Sequence, residues 1–184
     1  MKKLIIAVMA ALLALSIGLG FIITNAFAVD VDIRPAEPSE NGIEREPVFR
    51  LTEEGKKMLA RLVYLEVGGQ SADTQRMITE VILNRLDSEI WGNTITDVMF
   101  APGQFPPVSR LYTVPEDEIY DQILGIVKTV CMEGCQVLPS RVIFYCEFPF
   151  SWAVYEGYSE GCYFASSVYY PLPDGMTWTE WRAE

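Results

Sequence analysis

Histidine is absent from this chain of 184 residues. Ser-His-Asp hydrolysis, Cys-His peptidase chemistry and histidine-ligated zinc sites all require an imidazole, so its absence excludes them. A Ser-Lys mechanism is disfavoured as well, because Lys56, Lys57 and Lys128 lie outside any Ser-x-x-Lys motif. Cleavage of glycosidic bonds by carboxyl groups needs no imidazole and survives this exclusion.

Basic residues are also few, with 14 Lys and Arg against 25 Asp and Glu and a net charge of −11. No basic stretch has the composition of a nucleic-acid-binding surface, so we expect no nucleic-acid partner. Exposed charges act over only ~8 Å at physiological salt. We therefore expect so acidic a chain to hold an anionic polymer by local stacking and hydrogen bonds.

The N-terminus has the pattern of an export signal. Lys2 and Lys3 precede an uncharged apolar run over residues 4–23, and Ala26-Phe27-Ala28 places small residues two positions apart. We expect a signal peptide over residues 1–28, cleaved after Ala28. An uncleaved anchor is the alternative, since a spanning helix needs ~20 apolar residues. Either way the folded part is expected to be secreted or at the cell surface, with the membrane as a partner only if the segment is retained.

Two further regions follow this segment. Residues 29–47 contain three prolines and six acidic residues, a composition typical of an extended linker. Residues 48–184 are predicted to form one catalytic domain, which is long enough to bury a sizeable core.

Four cysteines lie in the second half of the chain, at Cys131, Cys135, Cys146 and Cys162. An even number in an exported protein predicts two disulfides, for which three pairings are possible. A metal site of four thiolates is disfavoured, because such sites usually show two close Cys-x-x-Cys pairs.

The apolar pattern predicts three helices and a small sheet. Thr52 caps the first helix, Gly68 and Gly69 end it, and its apolar residues fall at helical spacing. A small sheet packed beside three or more helices makes the fold class α+β. The second and third helices are predicted over residues 74–86 and 116–132, a loop over 91–115, and the β-prone runs at 142–145 and 162–164, separated by an aromatic segment at 148–158.

Glu66 continues the apolar stripe of the first helix, since it lies four positions after Leu62 and three after Val63. Partial desolvation and the negative end of the helix dipole both raise the pKa of a carboxyl at this position. An acid that cleaves glycosidic bonds must hold its proton near neutral pH. The alternative interpretation is a glutamate that points to water, and Glu80 on the second helix is a carboxylate with the same ambiguity.

Three blocks of sequence carry a family resemblance. The first reads Leu-Ala-Arg-Leu-Val-Tyr-Leu-Glu-Val-Gly-Gly-Gln at residues 59–70 and continues with Val-Ile-Leu-Asn-Arg at 81–85. The second, within residues 92–105, contains Gly-Asn-Thr-Ile and Pro-Gly-Gln-Phe, and the third, within residues 142–152, contains Val-Ile-Phe-Tyr and Phe-Ser-Trp. Together and in this order they resemble the SleB-type cell wall hydrolases, and the resemblance covers residues 51–164.

The resemblance implies a lysozyme-like domain that acts on peptidoglycan glycan strands without a metal or other cofactor. Members are known chiefly as spore-cortex-lytic enzymes, which connects the family to sporulation and germination. The implied reaction is that of a lytic transglycosylase at the bond between N-acetylmuramic acid and N-acetylglucosamine. Glu66 would be the only catalytic acid/base: it protonates the glycosidic oxygen and then takes the proton of the muramic 6-hydroxyl as a 1,6-anhydro ring closes.

The resemblance also suggests substrate contacts. Gln104 could address an N-acetyl group through its amide, and Phe105 could stack on a sugar ring. Further candidates for substrate binding are Tyr64, Gln70, Tyr145 and Trp152, although aromatic residues in a small domain usually belong to its core.

Two positions depart from the family pattern. Gln70 stands where the family has a second glutamate, and Cys162 stands where it usually has histidine. We infer that Cys162 pairs with Cys146 and that Cys131 pairs with Cys135, a spacing that would be strained in a regular helix. Two alternatives stay open. One is a hydrolysing muramidase, in which water attacks in place of the 6-hydroxyl, and the other is a catalytically inactive peptidoglycan-binding module, which the two departures favour.

Overall fold

The computed structural model of the chain describes residues 46–170 and 172–183. The expected signal peptide at 1–28 and almost all of the expected linker at 29–47 lie outside the described residues. The chain from Pro47 onward forms one compact unit. Within the described residues, no helix has the length and apolar character needed to cross a bilayer.

The described part contains five α-helices, one 3₁₀ helix and three short strands. The α-helices are α1 (Glu53–Val67), α2 (Ala72–Ser88), α3 (Ile95–Met99), α4 (Glu118–Glu133) and α5 (Trp178–Ala183), the 3₁₀ helix covers Pro106–Thr113, and the strands are β1 (Phe144–Cys146), β2 (Ala153–Ser159) and β3 (Cys162–Ser167). The α+β class, predicted as three or more helices beside a small sheet, is confirmed and is consistent with a lysozyme-like cell wall hydrolase fold.

Helix α1 begins and ends as its sequence predicts. The Thr52 hydroxyl accepts a 3.0 Å hydrogen bond from the Gly55 amide, which satisfies one of the free N–H groups of the first turn. At the other end the Gly68 amide donates to the carbonyl of Tyr64 at 2.9 Å. A Cβ at Gly68 would lie 2.5 Å from that carbonyl oxygen, so only glycine fits this close approach without a shift.

Helix α2 extends two residues beyond its predicted bounds of 74–86 at each end, and its cap is Ser71, whose hydroxyl lies 3.5 Å from the Thr74 amide. The same cap contacts the β2–β3 turn, where the Glu160 carboxylate accepts a 2.7 Å hydrogen bond from the Ser71 amide. These bonds join the start of α2 to the sheet and hold the pKa of Glu160 below its ordinary range.

The region predicted as a loop, residues 91–115, contains helix α3 and the 3₁₀ helix. A capping box starts α3: the Thr94 hydroxyl accepts from the Asp97 amide at 3.1 Å, and the Asp97 carboxylate accepts from the Thr94 amide at 3.2 Å. The 3₁₀ helix starts at Pro106, whose fixed φ suits a first helical position. Both elements are too short to produce a periodic apolar pattern.

The sheet has the strand order β1-β3-β2, and both of its pairs are antiparallel. Tyr145 is paired with Phe164 in one ladder, and Tyr158 with Tyr163 in the other. Glu160 and Gly161 join β2 to β3 with φ values of 44° and 90°, so both central residues of this hairpin turn are left-handed. Strand β2 lies within the aromatic segment 148–158, for which no strand was predicted. Its residues are exposed or half-buried and show no apolar alternation, so the sequence gives no signal of a strand there.

Helices α1, α2 and α4 form the main core with the inner face of the sheet. The apolar positions predicted for α2 are buried, as are most of those predicted for α1 and α4. One apolar residue of the third predicted helix, Ile119, is not part of this core: it lies in the first turn of α4 and is 41% exposed.

Candidate active site

Glu66 lies in the last turn of α1, and its side chain is half-buried. Its Oε2 atom accepts a 2.8 Å hydrogen bond from the hydroxyl of Tyr145 on β1. Its Oε1 atom is buried and has no hydrogen-bond partner among the described residues. An ionised carboxylate is costly when one of its oxygens is buried without a partner, so this environment favours the protonated form.

The pKa of Glu66 is raised above its ordinary value of 4.5, principally by burial. The hydrogen bond from Tyr145 and the positive charge of Arg85 both oppose this rise, because each stabilises the ionised carboxylate. Of the described carboxyl groups whose pKa clearly departs from its ordinary value, Glu66 alone has it raised. The raised pKa of Glu66 agrees with the prediction made from its position on the apolar stripe of α1.

Arg85 is a charged residue of the site to which the sequence analysis assigned no role. It lies in α2 and is 2% exposed, and its Nε atom donates a 2.7 Å hydrogen bond to the carbonyl of Ile143. Burial lowers the pKa of Arg85 to about 10, so the guanidinium still carries its charge at neutral pH. Its position four residues after the buried Val81 was a signal that it faces the core.

Tyr145 joins the charged residues to the aromatic part of the site. Its ring lies parallel to that of Phe105, with centroids 6.5 Å apart, and 5.9 Å from the centre of the Arg85 guanidinium. Burial and the neighbouring Glu66 raise the pKa of Tyr145 well above its ordinary value. The phenol therefore keeps its proton at neutral pH and can donate a hydrogen bond there.

Phe105 does not have the exposure that stacking on a sugar requires. Its ring is 2% exposed, with the Arg85 guanidinium 4.8 Å from its centroid and the Tyr145 ring beside it. The structure thus contradicts the expectation of an open stacking platform, because the ring contributes its area to the packing around Arg85.

Gln104, the residue before Phe105, is half-buried. Its amide oxygen is buried without a hydrogen-bond partner among the described residues. Among the described residues, four buried side-chain atoms lack a hydrogen-bond partner. Three of them belong to Glu66, Arg85 and Gln104, and the fourth is the hydroxyl of Tyr120. Such atoms favour a ligand that supplies their missing partner.

Trp152 belongs to an aromatic cluster next to the site. Its ring packs edge-on against Phe144 at 5.1 Å and lies parallel to Phe150 at 5.3 Å. Phe144 also packs edge-on against Trp91, at 5.8 Å. Trp152 is half-buried, so part of its ring is accessible.

Tyr64 makes a contact that stabilises the fold. Its hydroxyl donates a 2.9 Å hydrogen bond to Oδ2 of Asp117, the residue that caps α4. Residues two positions apart do not share a helix face, so Tyr64 and Glu66 point to different sides of α1. The structure therefore does not bring Tyr64 together with the other candidates for substrate contact.

The two departures from the family pattern contact each other. The thiol of Cys162 lies 3.9 Å from the amide oxygen of Gln70, which follows the end of α1. Burial is the main cause that raises the pKa of the Cys162 thiol, and the negative charges of Glu147, Glu160 and Glu66 add to it. Gln70 and Cys162 thus form one edge of the site.

Glu80 has a structural role. Its fully buried carboxylate accepts hydrogen bonds from the amides of Gln136, Val137 and Leu138 at 3.1, 3.0 and 2.8 Å. It also forms an ion pair with Arg76 at 3.1 Å. These bonds hold the chain that leads from α4 to the sheet, and they leave no free carboxylate for chemistry.

All four cysteines are free thiols in the structure. Cys146 is paired with Tyr163 in the antiparallel ladder. Cys162 precedes Tyr163, so Cys146 and Cys162 point to opposite faces of the sheet. The Cys146–Cys162 disulfide would require this end of the sheet to rearrange, and both disulfides stay predictions.

A cavity of about 610 Å³ lies elsewhere, along strands β2 and β3. It is lined by Arg141, whose guanidinium forms ion pairs with Glu156 and Asp174 at 2.6 and 2.5 Å. Neither Glu66 nor Tyr145 lines this cavity, and its charges already compensate each other. Within the described residues, no group of three or more acidic residues or cysteines has a geometry suited to a metal ion.

The chain was compared with known proteins. Residues 69–147 match the family described as Cell Wall Hydrolase. A spore cortex-lytic enzyme of Bacillus subtilis strain 168 is 33% identical over 73 residues, which is 39% of this chain and 24% of that protein. A spore cortex-lytic enzyme of Oceanobacillus iheyensis is 30% identical over 73 residues, which is 39% of this chain and 26% of that protein.

The resemblance to the cell wall hydrolases is thus confirmed. The chain spans about a quarter of the length of these curated relatives. The family match starts three residues after Glu66, so the catalytic assignment of Glu66 depends on its environment and on the motif around it. No solved structure matches the chain.

Proposed function

We propose that this chain cleaves the glycan strands of peptidoglycan and that Glu66 is its general acid. The observation that carries the proposal is the environment of Glu66: a half-buried carboxyl with a raised pKa, one oxygen held by Tyr145 and the other without a partner. The similarity to the cell wall hydrolases supports peptidoglycan as the substrate.

The hydrogen bond from Tyr145 determines which oxygen carries the proton. Oε2 accepts from the Tyr145 hydroxyl, so the acidic proton of Glu66 resides on Oε1. In the complex, the glycosidic oxygen between N-acetylmuramic acid and N-acetylglucosamine becomes the partner that Oε1 lacks. Since Oε1 is covered in the structure, the side chains around it have to move apart when a strand binds.

The reaction proceeds in two steps on this one carboxyl. Glu66 gives its proton to the glycosidic oxygen as the bond from that oxygen to C1 of the muramic residue breaks. The muramic 6-hydroxyl then attacks C1, and its proton passes to the Glu66 carboxylate as the 1,6-anhydro ring closes. The carboxyl returns to its protonated state, so the products differ from the substrate only in the rearranged bonds.

This route needs no second carboxylate, and two other carboxylates of the domain are already held by structural hydrogen bonds. Glu80 is occupied by three amides and Arg76, and Glu160 by the cap of α2. A retaining hydrolase needs a carboxylate nucleophile, and an inverting hydrolase needs a carboxylate that activates water. Attack by the substrate's own hydroxyl requires neither group.

Mass spectrometry of the muropeptides released from purified peptidoglycan tests the chemistry. We expect ends with 1,6-anhydro-muramic acid, and reducing ends would instead identify a hydrolysing muramidase. The variant Glu66→Gln should lose wall clearing by about 10²–10⁴-fold, the usual contribution of a general acid. A fully active Glu66→Gln variant would contradict the assignment, and a wild-type chain that binds peptidoglycan without cleaving it would identify a binding module.

We further propose that residues 48–184 act outside the cytoplasm after export and cleavage at Ala28. The apolar run at residues 4–23 and the extracytoplasmic position of peptidoglycan support this proposal. N-terminal sequencing of the mature protein tests it: a chain that starts at Val29 is expected, and a chain that still starts at Met1 would identify an uncleaved anchor.

A further inference from the structure

A buried cation without a carboxylate partner stands beside the candidate site. Arg85 forms no ion pair among the described residues, and its Nη1 atom has no hydrogen-bond partner there. In the described part of the chain, its single hydrogen-bond acceptor is the carbonyl of Ile143. Burial of a charge is expensive unless other groups compensate it, so the surroundings of Arg85 must supply that compensation.

Four aromatic rings provide this compensation. The centre of the guanidinium lies 4.8 Å from the ring of Phe105 and 5.0 Å from that of Trp91. The rings of Phe144 and Tyr145 are each 5.9 Å away. The guanidinium lies over all four rings, each within the ~6 Å at which the negative face of a ring attracts a cation. This aromatic cage consists of Trp91, Phe105, Phe144 and Tyr145.

The aromatic cage connects Arg85 to Glu66. Tyr145 contacts both residues, with its ring at the guanidinium and its hydroxyl on Oε2 of Glu66. Water only partly screens the attraction between Arg85 and Glu66, because Arg85 is buried and Glu66 is half-buried. The titratable groups that act on Glu66 are therefore Tyr145 from β1, Arg85 from α2 and Cys162 from β3.

We propose that Arg85 is a positioning residue for the reaction proposed above: its caged charge stabilises the Glu66 carboxylate that forms when the proton leaves. The proposal rests on the proposed function. Burial disfavours loss of the proton from Glu66. The positive charge of Arg85 opposes that effect. It does so without a direct ion pair, which would keep Glu66 ionised and leave it without a proton to donate.

Replacement of the charge tests this role. In Arg85→Met and Arg85→Gln the attraction for the carboxylate is lost, so the pKa of Glu66 is expected to rise, and the alkaline limb of kcat/KM to move to higher pH. We expect kcat to fall by about tenfold, less than the ~10²–10³ that loss of a direct transition-state donor costs. Arg85→Lys keeps the charge, so we expect Glu66 in this variant to titrate close to its wild-type pKa.

The decisive readout is the titration of the Glu66 side-chain carbon by NMR, assigned with Glu66→Gln. Because this titration does not depend on turnover, it separates failure of the inference from failure of the proposed function. If Arg85→Met does not fold, Arg85→Gln carries the test, since its amide can still donate to the Ile143 carbonyl. The matched control is Arg110→Met, which removes an exposed charge and should leave the Glu66 titration unchanged.

An unchanged titration of Glu66 in a folded, neutral Arg85 variant would overturn the inference, even if activity fell, because Arg85 would then have only a packing role. Loss of activity in Glu66→Gln together with a raised Glu66 titration in Arg85→Gln would support both proposals. Full activity in Glu66→Gln would contradict the proposed function, and Arg85 would then have no role in catalysis through Glu66.

Discussion

The Tyr145 hydroxyl donates a 2.8 Å hydrogen bond to Oε2 of Glu66, across 79 residues of sequence. The bond joins the last turn of α1 to the first strand of the sheet. Oε2 is thereby fixed as an acceptor, and Oε1 is the oxygen that holds a transferable proton. Burial favours the proton, whereas Tyr145 and Arg85 favour its release, so the site combines opposing effects on one carboxyl.

The variant Tyr145→Phe should lower activity and leave the fold intact. The ring still packs on Phe105, but the carboxylate loses a hydrogen bond of the charged type, worth about 1.5–3 kcal/mol. We expect kcat to fall by about 10- to 100-fold and the alkaline limb of the pH profile to move upward, since this hydrogen bond lowers the pKa of Glu66. Tyr158→Phe, at an exposed position in β2, is the control and should behave like the wild-type chain.

The variant Glu66→Gln should be more stable than the wild-type chain at neutral pH. A carboxyl whose pKa is raised by folding contributes stability below its unfolded pKa, and this contribution is lost as the pH rises through the folded pKa. An amide carries no charge to bury, so we expect a gain of about 0.5–2 kcal/mol at pH 7, the usual range for such replacements. Thermal melts at pH 4 and pH 7 measure it, and an equal difference at the two pH values would show that the carboxyl is not desolvated.

Removal of the Glu80 carboxylate should destabilise the fold. Glu80→Ala leaves three amides of the segment 136–138 and the charge of Arg76 without their partner. Breaking a buried ion pair from one side typically costs about 3–5 kcal/mol. Urea unfolding measures this cost, with the exposed Glu54→Ala on α1 as control. A Glu80→Ala variant as stable as the wild-type chain but without activity would instead make Glu80 part of the chemistry.

Tyr64→Phe separates a structural role from a role in substrate binding. The variant loses the hydrogen bond to Asp117, so we expect a small loss of stability, measured as a lower midpoint of urea unfolding. Because Tyr64 points away from Glu66, we expect KM and kcat on peptidoglycan to remain at wild-type values. A raised KM with unchanged stability would restore Tyr64 to the substrate contacts.

The state of the cysteines can be measured directly. If the fold forms with free thiols, alkylation of the unfolded, unreduced chain should add four labels. Two disulfides would block labelling before reduction, and peptide mapping would then identify the pairs. A Cys131–Cys162 link would contradict both predicted pairings, and a Cys146–Cys162 link would show that the end of the sheet can rearrange.

Much of the helical framework could be predicted because its signals are local. Thr52, Ser71 and Gly68 act on amides and carbonyls within four residues, and the apolar stripe of α1 repeats within two turns. Position on that stripe was also enough to single out Glu66. Strand β2 and helix α3 escaped prediction, because exposed strands and five-residue helices have no apolar period to read.

The sequence by itself determined the three long helices, the α+β class and the exclusion of imidazole chemistry, and it singled out Glu66 as the candidate acid. Only the tertiary structure decided that Phe105 is buried, that Tyr145 holds Oε2 and that Arg85 is enclosed by four rings. Apart from Trp91, which is six positions from Arg85, these contacts join residues 20 to 79 positions apart. The physical reason is that capping and periodicity act over a few residues, whereas desolvation and the field at a carboxyl depend on every element packed around it.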